Sequence, residues 1–313
     1  MKLFRGFALA GVVLAFALSL LGSWIRINGA GLSCPDWPLC HGVLVPALQG
    51  RVVLEWTHRL LAFVEAFVVL GAIVTGLRER GHVAGVSAAL WALGIVFAFQ
   101  VSLGGLTVML GNSPVSVMVH WGMGMALLAA LTALALLAFL APEPSVARAL
   151  RSGANESAAP ALAVAAGFAF VTMCAGAYVS SSYAGLACPT LPACNGTLFG
   201  QSAAQLAQML HRLSALAFAI VAVLATYAVA RGASRRVLGC ALTGLALLFV
   251  QIGLGIANVA WALPPALREM HATNAVATFL AFVIAAVLAA LDPYRASARE
   301  LEPARSRRLA ADA

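Results

Sequence analysis

Charge is the scarcest property of this 313-residue chain: only 10% of it is Asp, Glu, Lys or Arg, against 62% apolar residues. So little charge excludes a solvated surface of ordinary size and points to the bilayer as the solvent. Also missing is the apolar/polar alternation that marks the strands of a membrane β-barrel, which leaves helices as the only way to satisfy the backbone in lipid. No small-residue A-x-A cleavage site follows the first apolar stretch, Gly6 to Ile25. That stretch is also longer than a secretory signal core, so it reads as a retained first span.

What is present is a series of charge-free apolar runs near residues 6 to 25, 83 to 110, 115 to 141, 158 to 180, 213 to 230, 237 to 261 and 271 to 291. Each suffices, as a helix rising about 1.5 Å per residue, for roughly 30 Å of hydrocarbon. An eighth run, about 52 to 77, is apolar but carries Glu55, His58, Arg59 and Glu65. The expected fold is an all-α integral membrane protein of eight transmembrane helices. With eight spans drawn, Lys2, Arg5, Arg78, Arg80, Arg148, Arg151, Arg231, Arg235, Arg236, Arg295, Arg299, Arg305, Arg307 and Arg308 fall on one side. The other side keeps Arg26, Arg51, Arg59, Arg212 and Arg268. This asymmetry places both termini in the cytoplasm of a multi-pass protein in a bacterial-type plasma membrane. It also accounts for the formal charge of +8 without a nucleic-acid partner.

The chain repeats itself. Gly31-Leu32-Ser33-Cys34-Pro35-Asp36-Trp37-Pro38-Leu39-Cys40 is followed by His58-Arg59-Leu60, and Gly185-Leu186-Ala187-Cys188-Pro189-Thr190-Leu191-Pro192-Ala193-Cys194 by His211-Arg212-Leu213. The first cysteine precedes its histidine by 24 residues in one half and 23 in the other, and Gln100 and Gln251 each stand twenty residues before His120 and His271. Four spans per half is an even number, so two pseudo-repeated four-helix bundles enter the membrane in parallel, which disfavours an inverted-repeat transporter. The expected organisation is an N-terminal bundle over 1–141, a polar cytoplasmic linker over 142–160, a C-terminal bundle over 161–291 and a basic cytoplasmic tail over 292–313.

His41 and His82 sit in loops, but His58, His120, His211 and His271 lie within spans, each about six residues, or ~9 Å, inside the outer start of an even-numbered helix. Ionisable groups at matched depth in lipid mark a ligand or a pathway. Two histidines facing across a four-helix bundle can supply both axial nitrogens of a heme iron, His58 with His120 in one half and His211 with His271 in the other. A closed zinc site wants more ligands than each bundle offers. A two-histidine, one-carboxylate iron site from Glu55, His58 and His120 is a stronger rival, although Gln208 replaces Glu55 in the second half.

Glu55 and His58, at i and i+3, share a helix face, so the carboxylate could handle protons in the imidazole's cavity or else pair with Arg59 and anchor the helix end. Glu65, seven residues past His58, is either a proton-path residue or an interhelical contact. Arg59 and Arg212 can snorkel outward, to heme propionates or as plain interfacial anchors. Cys34 and Cys40, and Cys188 and Cys194, lie in outer loops where disulfides are permitted, as structural staples or as redox groups. Cys174 and Cys240 read as packing residues.

The run Gly29 to Gly42 followed by Glu55-Trp56-Thr57-His58-Arg59 resembles heme A synthase, the membrane enzyme that oxidises the C8 methyl of heme O to a formyl group, over about residues 6 to 291. The resemblance implies heme b held by His211 and His271, substrate heme O at His58 and His120, and catalytic involvement of Glu55 and of Cys34 and Cys40. It implies heme O synthase and a terminal oxidase as candidate partners. Two alternatives share the same residues: a diheme protein oxidising quinol, with a quinone as electron partner, and a thiol oxidoreductase working through the loop cysteines.

Overall fold

The structure, a computed structural model, describes residues 1–142, 144 and 158–311, with side chains described as far as residue 292. Eight of its helices are long and apolar enough to cross a membrane. They are α1 (Lys2–Ile27), α2 (Arg51–Arg78), α3 (Val86–Met109), α4 (Pro114–Leu140), α5 (Ala159–Ser181), α6 (Ala203–Ala230), α7 (Arg235–Ala260) and α8 (Pro265–Ala311), the last spanning-capable over Pro265–Asp292. The all-helical membrane fold follows. The polar linker expected over 142–160, with Arg148 and Arg151, lies outside the described residues except at its ends. Of the basic tail, the backbone is helical to Ala311.

Two helices begin earlier than the apolar runs foretell. α6 starts at Ala203 and α8 at Pro265, ahead of the apolar runs at 213 and 271 and close to the starts implied by the depth of His211 and His271, because their first three turns carry Gln205, Gln208, Arg212, Arg268 and Glu269. Hydropathy measures the part of a helix that suits lipid; the helix itself continues into the polar zone. Starts are set by local chemistry. Ser113, Ser202 and Ser234 each accept a hydrogen bond from the backbone N–H three residues on, and Pro114 follows its cap in a position that needs no N–H. Such a cap is worth about 1 kcal/mol.

Within the first half, α1 packs on α2 and α4, and α3 on α2 and α4; in the second, α5 packs on α6 and α8, and α7 on α6 and α8. The two squares meet where α4 lies against α5 and α8, and α1 against α8. The core therefore concentrates on α4 and α8, with Met125, Leu128, Leu131, Leu134 and Phe282 fully buried. Cys174 is part of this seam, its sulfur against Gly122. Large apolar side chains face outward elsewhere, among them Trp91, Phe99, Leu224 and Phe249. That surface suits a lipid solvent.

The repeat extends into loop detail. The segments after α1 and α5 each hold a disulfide, Cys34–Cys40 and Cys188–Cys194, and each second cysteine pairs with the residue three further on, Cys40 with Val43 and Cys194 with Thr197. The two residues between are left-handed, His41 and Gly42 (φ 55° and 76°) and Asn195 and Gly196 (φ 50° and 83°). Such a two-residue turn needs positive φ twice, which Asn-Gly and Xaa-Gly supply at least cost. Asp36 accepts from the N–H groups of His41 and Gly42, both at 2.7 Å, and Thr190 accepts from Asn195 at 2.8 Å. The Gly42 N–H above all holds the Asp36 carboxyl below the usual carboxylate range.

Candidate active site

Each even-numbered helix carries one of the four histidines near the end that meets the disulfide loops. His58 stands seven residues into α2, His120 six into α4, His211 eight into α6 and His271 six into α8. At about 1.5 Å per residue their depths agree to within roughly 3 Å. His58 and His120 stand on diagonal helices of the first square, α2 and α4, and His211 and His271 on diagonal helices of the second, α6 and α8. Each expected pair thus shares one square of helices.

A feature the sequence reading missed sets the ring positions. A Cβ added at Gly22 would stand 3.4 Å from Cε1 of His58, at Gly104 3.2 Å from Cε1 of His120, at Gly176 2.9 Å from Cε1 of His211, and at Gly255 3.3 Å from Cε1 of His271. Each imidazole therefore rests edge-on against a glycine of the preceding helix, in space that any side chain would fill. The signal was in the sequence: Gly104 and Gly255 both precede their histidines by sixteen residues, and Gly22 and Gly176 by 36 and 35. Gly176→Val is expected to push the His211 ring off its seat and, on the reading that this bundle holds a heme, to lower heme retention at least tenfold. A heme-to-protein ratio on purified protein checks this, and an unchanged ratio contradicts the seating role.

The outer nitrogens show how the rings are aimed. Nδ1 of His211 lies 3.1 Å from the carbonyl of Thr172, which can only accept, so this nitrogen carries the proton and Nε2 keeps its lone pair. Nδ1 of His58, His120 and His271 is buried without a hydrogen-bond partner among the described residues. Gln251 places its amide nitrogen 3.1 Å from Nε2 and 3.0 Å from the carbonyl oxygen of His271, and is itself held by Asn274 at 2.8 Å. Two imidazoles per bundle at similar depth, half-buried and seated against glycine, suit the axial positions of a porphyrin iron. Among the described residues no three His, Cys, Asp or Glu side chains converge on one point as ligands of a bare ion. The two-histidine, one-carboxylate arrangement is therefore not assembled.

Glu55 is occupied differently from the picture of a group open to the histidine cavity. One carboxylate oxygen accepts from the Cys34 N–H at 2.9 Å and the Ser33 hydroxyl at 3.1 Å, and the other from Arg59 at 2.6 Å. Gln208 does the same task, its side-chain oxygen accepting from the Cys188 N–H at 2.6 Å while its amide donates to the Gly185 carbonyl at 2.8 Å. Glu55 and Gln208 are thus equivalent pins for the two disulfide loops. What differs is the ion pair: Arg59 faces a carboxylate, and Arg212 has no charged partner among the described residues.

Both arginines reach into the loops. Arg59 donates to the carbonyls of Cys34, Asp36 and Leu39 at 2.7, 2.5 and 2.6 Å, and Arg212 to those of Cys188, Thr190 and Pro192 at 2.7, 2.7 and 3.2 Å. A guanidinium carries enough donors to hold three carbonyls at once, which a lysine could not match in this fork geometry. The loop of the first bundle also sends Trp37 against Gly105, where an added Cβ would stand 3.0 Å from the indole. Adjacent glycines of α3 thus receive the ring of His120 and the ring of Trp37.

Comparison with known proteins agrees with this architecture. The chain matches the family described as COX15-CtaA, cytochrome oxidase assembly protein, over residues 5–53 and 48–283. A Heme A synthase of Bacillus licheniformis is 27% identical over 265 residues, covering 82% of this chain and 86% of that protein. One of Shewanella oneidensis is 27% identical over 315 residues, covering 87% and 92%, and one of Bacillus pumilus is 29% identical over 217 residues, covering 66% and 70%. With the match running through both disulfide loops and all four histidine-bearing helices, this chain belongs to the COX15-CtaA family of cytochrome oxidase assembly proteins.

Proposed function

We propose that this membrane protein is a heme A synthase, an oxidoreductase that converts the C8 methyl group of heme O to a formyl group for use by a terminal oxidase. The observation that carries the reading is the set of four histidines in two matched pairs, each ring seated on a glycine, in a chain whose relatives bear that name. The reading places heme O between His58 and His120 in the bundle over 1–141, and heme b between His211 and His271 in the bundle over 161–291. The two bundles enter the membrane in parallel, with the disulfide loops on the outer face of a bacterial-type plasma membrane and both termini cytoplasmic. Among partners, heme O synthase delivers the substrate, a terminal oxidase receives the product, and a quinone exchanges electrons.

The substrate methyl is oxidised twice, to the alcohol and then to the hydrated aldehyde, -CH3 + 2 H2O → -CH(OH)2 + 4 H+ + 4 e−, with the quinone as electron acceptor, and the hydrate then loses water to leave the formyl group. Heme b, when bound by His211 and His271, supplies one-electron transfer. The chain's own residues orient and seal. His58 and His120 fix the substrate ring, and the hydrocarbon faces of α1 to α4 exclude water from it. Gln251, now in contact with Nε2 of His271, would have to release that nitrogen for His271 to hold a heme. Arg59 and Arg212 border the heme pockets at the loop end, where propionates seek positive charge. Glu55, beside them, couples the loop of Cys34 and Cys40 to the helix bearing His58, and is the carboxylate placed to pass protons at that end of the first pocket.

The experiment is pigment extraction from cells that make heme O, with and without this chain: heme A in the first sample alone supports the reading, and heme A in neither ends it. Glu55→Gln installs the residue that the second bundle uses at the same pin. It is expected to keep the Cys34 contact, spare heme binding, and lower turnover roughly tenfold through loss of the Arg59 pair and of a titratable group. Normal turnover with normal heme content limits Glu55 to holding the loop.

A further inference from the structure

Glu65 is 2% exposed, and neither of its carboxylate oxygens has a hydrogen-bond partner among the described residues. It lies on the buried stripe of α2 with Glu55, Val69, Ala72 and Gly76, whereas Phe63 and Phe67 on the other face are about 60% exposed. Seven residues separate it from His58, which on an α-helix is about 10.5 Å along the axis and only some 20° around it. The carboxyl thus sits on the face that carries His58, inside the bundle and two turns further from the disulfide loop.

The second bundle answers this position with hydrocarbon. Seven residues past His211 stands Phe218, 4% exposed and packed edge-to-face on Phe282 at 5.6 Å. Glu55 and Gln208 differ in charge but perform one task; Glu65 and Phe218 have no chemistry in common. A buried carboxyl with neither oxygen partnered is costly unless a ligand supplies a partner, and at this position the second bundle has a phenyl ring instead.

Resting on that assignment, we infer that Glu65 is the specificity residue by which the first bundle recognises heme O, receiving a hydrogen bond from the hydroxyl of its side chain. Heme O differs from heme b by a hydroxyl-bearing farnesyl-ethyl chain in place of one vinyl group, on the porphyrin edge opposite the propionates. With the propionates set toward the loop end, where Arg59 lies, that edge would point along α2 toward Glu65. The same edge of a heme in the second bundle meets Phe218, which fits a vinyl group and offers a hydroxyl nothing. Glu65 is a binding residue in this scheme, remote from the methyl that is oxidised.

The test uses full-length protein with the second bundle loaded, titrated in the Soret band with heme O and with dehydrated heme O, which keeps the farnesyl chain and lacks the hydroxyl. Wild type is expected to bind heme O about tenfold more tightly than the dehydrated form, the size of one buried hydrogen bond. Glu65→Gln, which retains an acceptor, keeps most of this preference, and Glu65→Phe brings the two affinities within twofold. The low-spin spectrum of the second bundle in the same samples reports that each variant is folded. Equal weakening of both hemes in Glu65→Phe, or an undiminished preference, overturns the inference while leaving the substrate bundle in place. Wild type that binds neither heme in a His58-dependent way overturns the assignment beneath it.

Discussion

Purified His271→Ala protein is expected to lack the low-spin heme absorbance of the second bundle. In the proposed assignment the imidazole on α8 and its partner on α6 would be the two ligands of the iron, and an alanine would leave one of them with no replacement. Gln251, which contacts both Nε2 and the carbonyl oxygen of His271, is anchored by Asn274 and has only a weak amide donor to offer. His211→Ala should act alike, because its Nδ1 bond to Thr172 serves to aim a nitrogen that would be gone. Losing a partner outside the ligand set costs about 10- to 100-fold in metal affinity, and losing a ligand costs at least as much. Optical spectra of ascorbate- and dithionite-reduced protein check the result. A full low-spin spectrum in either variant means that the second bundle does not hold its heme through this pair.

The second large effect belongs to the first bundle. His58→Ala and His120→Ala should each abolish heme A formation, a fall of at least about 100-fold, while the low-spin spectrum of the second bundle persists. The halves touch mainly along α4, α5 and α8, and His58 on α2 is remote from that seam. His120 is on α4 itself, so its variant also tests whether damage spreads between bundles. Heme A extracted from cells and measured against protein level reads the first effect, and the spectrum of the same preparation reads the second. Wild-type heme A in the His58 variant would remove the substrate from this site.

Much of this was legible in the sequence because membrane helices obey a coarse rule. Hydrocarbon length and internal repetition gave eight helices and two pairs of histidines, since an ionisable residue in lipid stands out against its neighbours. The roles of Glu55, Arg59 and Arg212 were harder to see. Sequence spacing puts Glu55 on the face of His58, but it carries no information about which backbone groups of the loop need partners, and the Cys34 N–H and three loop carbonyls claim these side chains. The Glu55/Gln208 difference, which in the sequence stands out as a contrast of charge, also covers a task the two share, each accepting from the N–H of a loop cysteine. The glycines behind the histidines went unseen for the opposite reason. Gly22, Gly104, Gly176 and Gly255 sit among 28 glycines, and only three-dimensional contact singles out those whose missing Cβ makes room for a ring.

The proposed assignment of heme b to one histidine pair and substrate to the other is tested most directly by acid-acetone extraction and chromatography of the hemes bound to purified His58→Ala and His211→Ala proteins. The account predicts that the His211 variant loses heme b and retains heme O or its oxidation products, and that the His58 variant does the reverse. Loss of the same pigment from both variants would contradict the assignment of one porphyrin to each bundle.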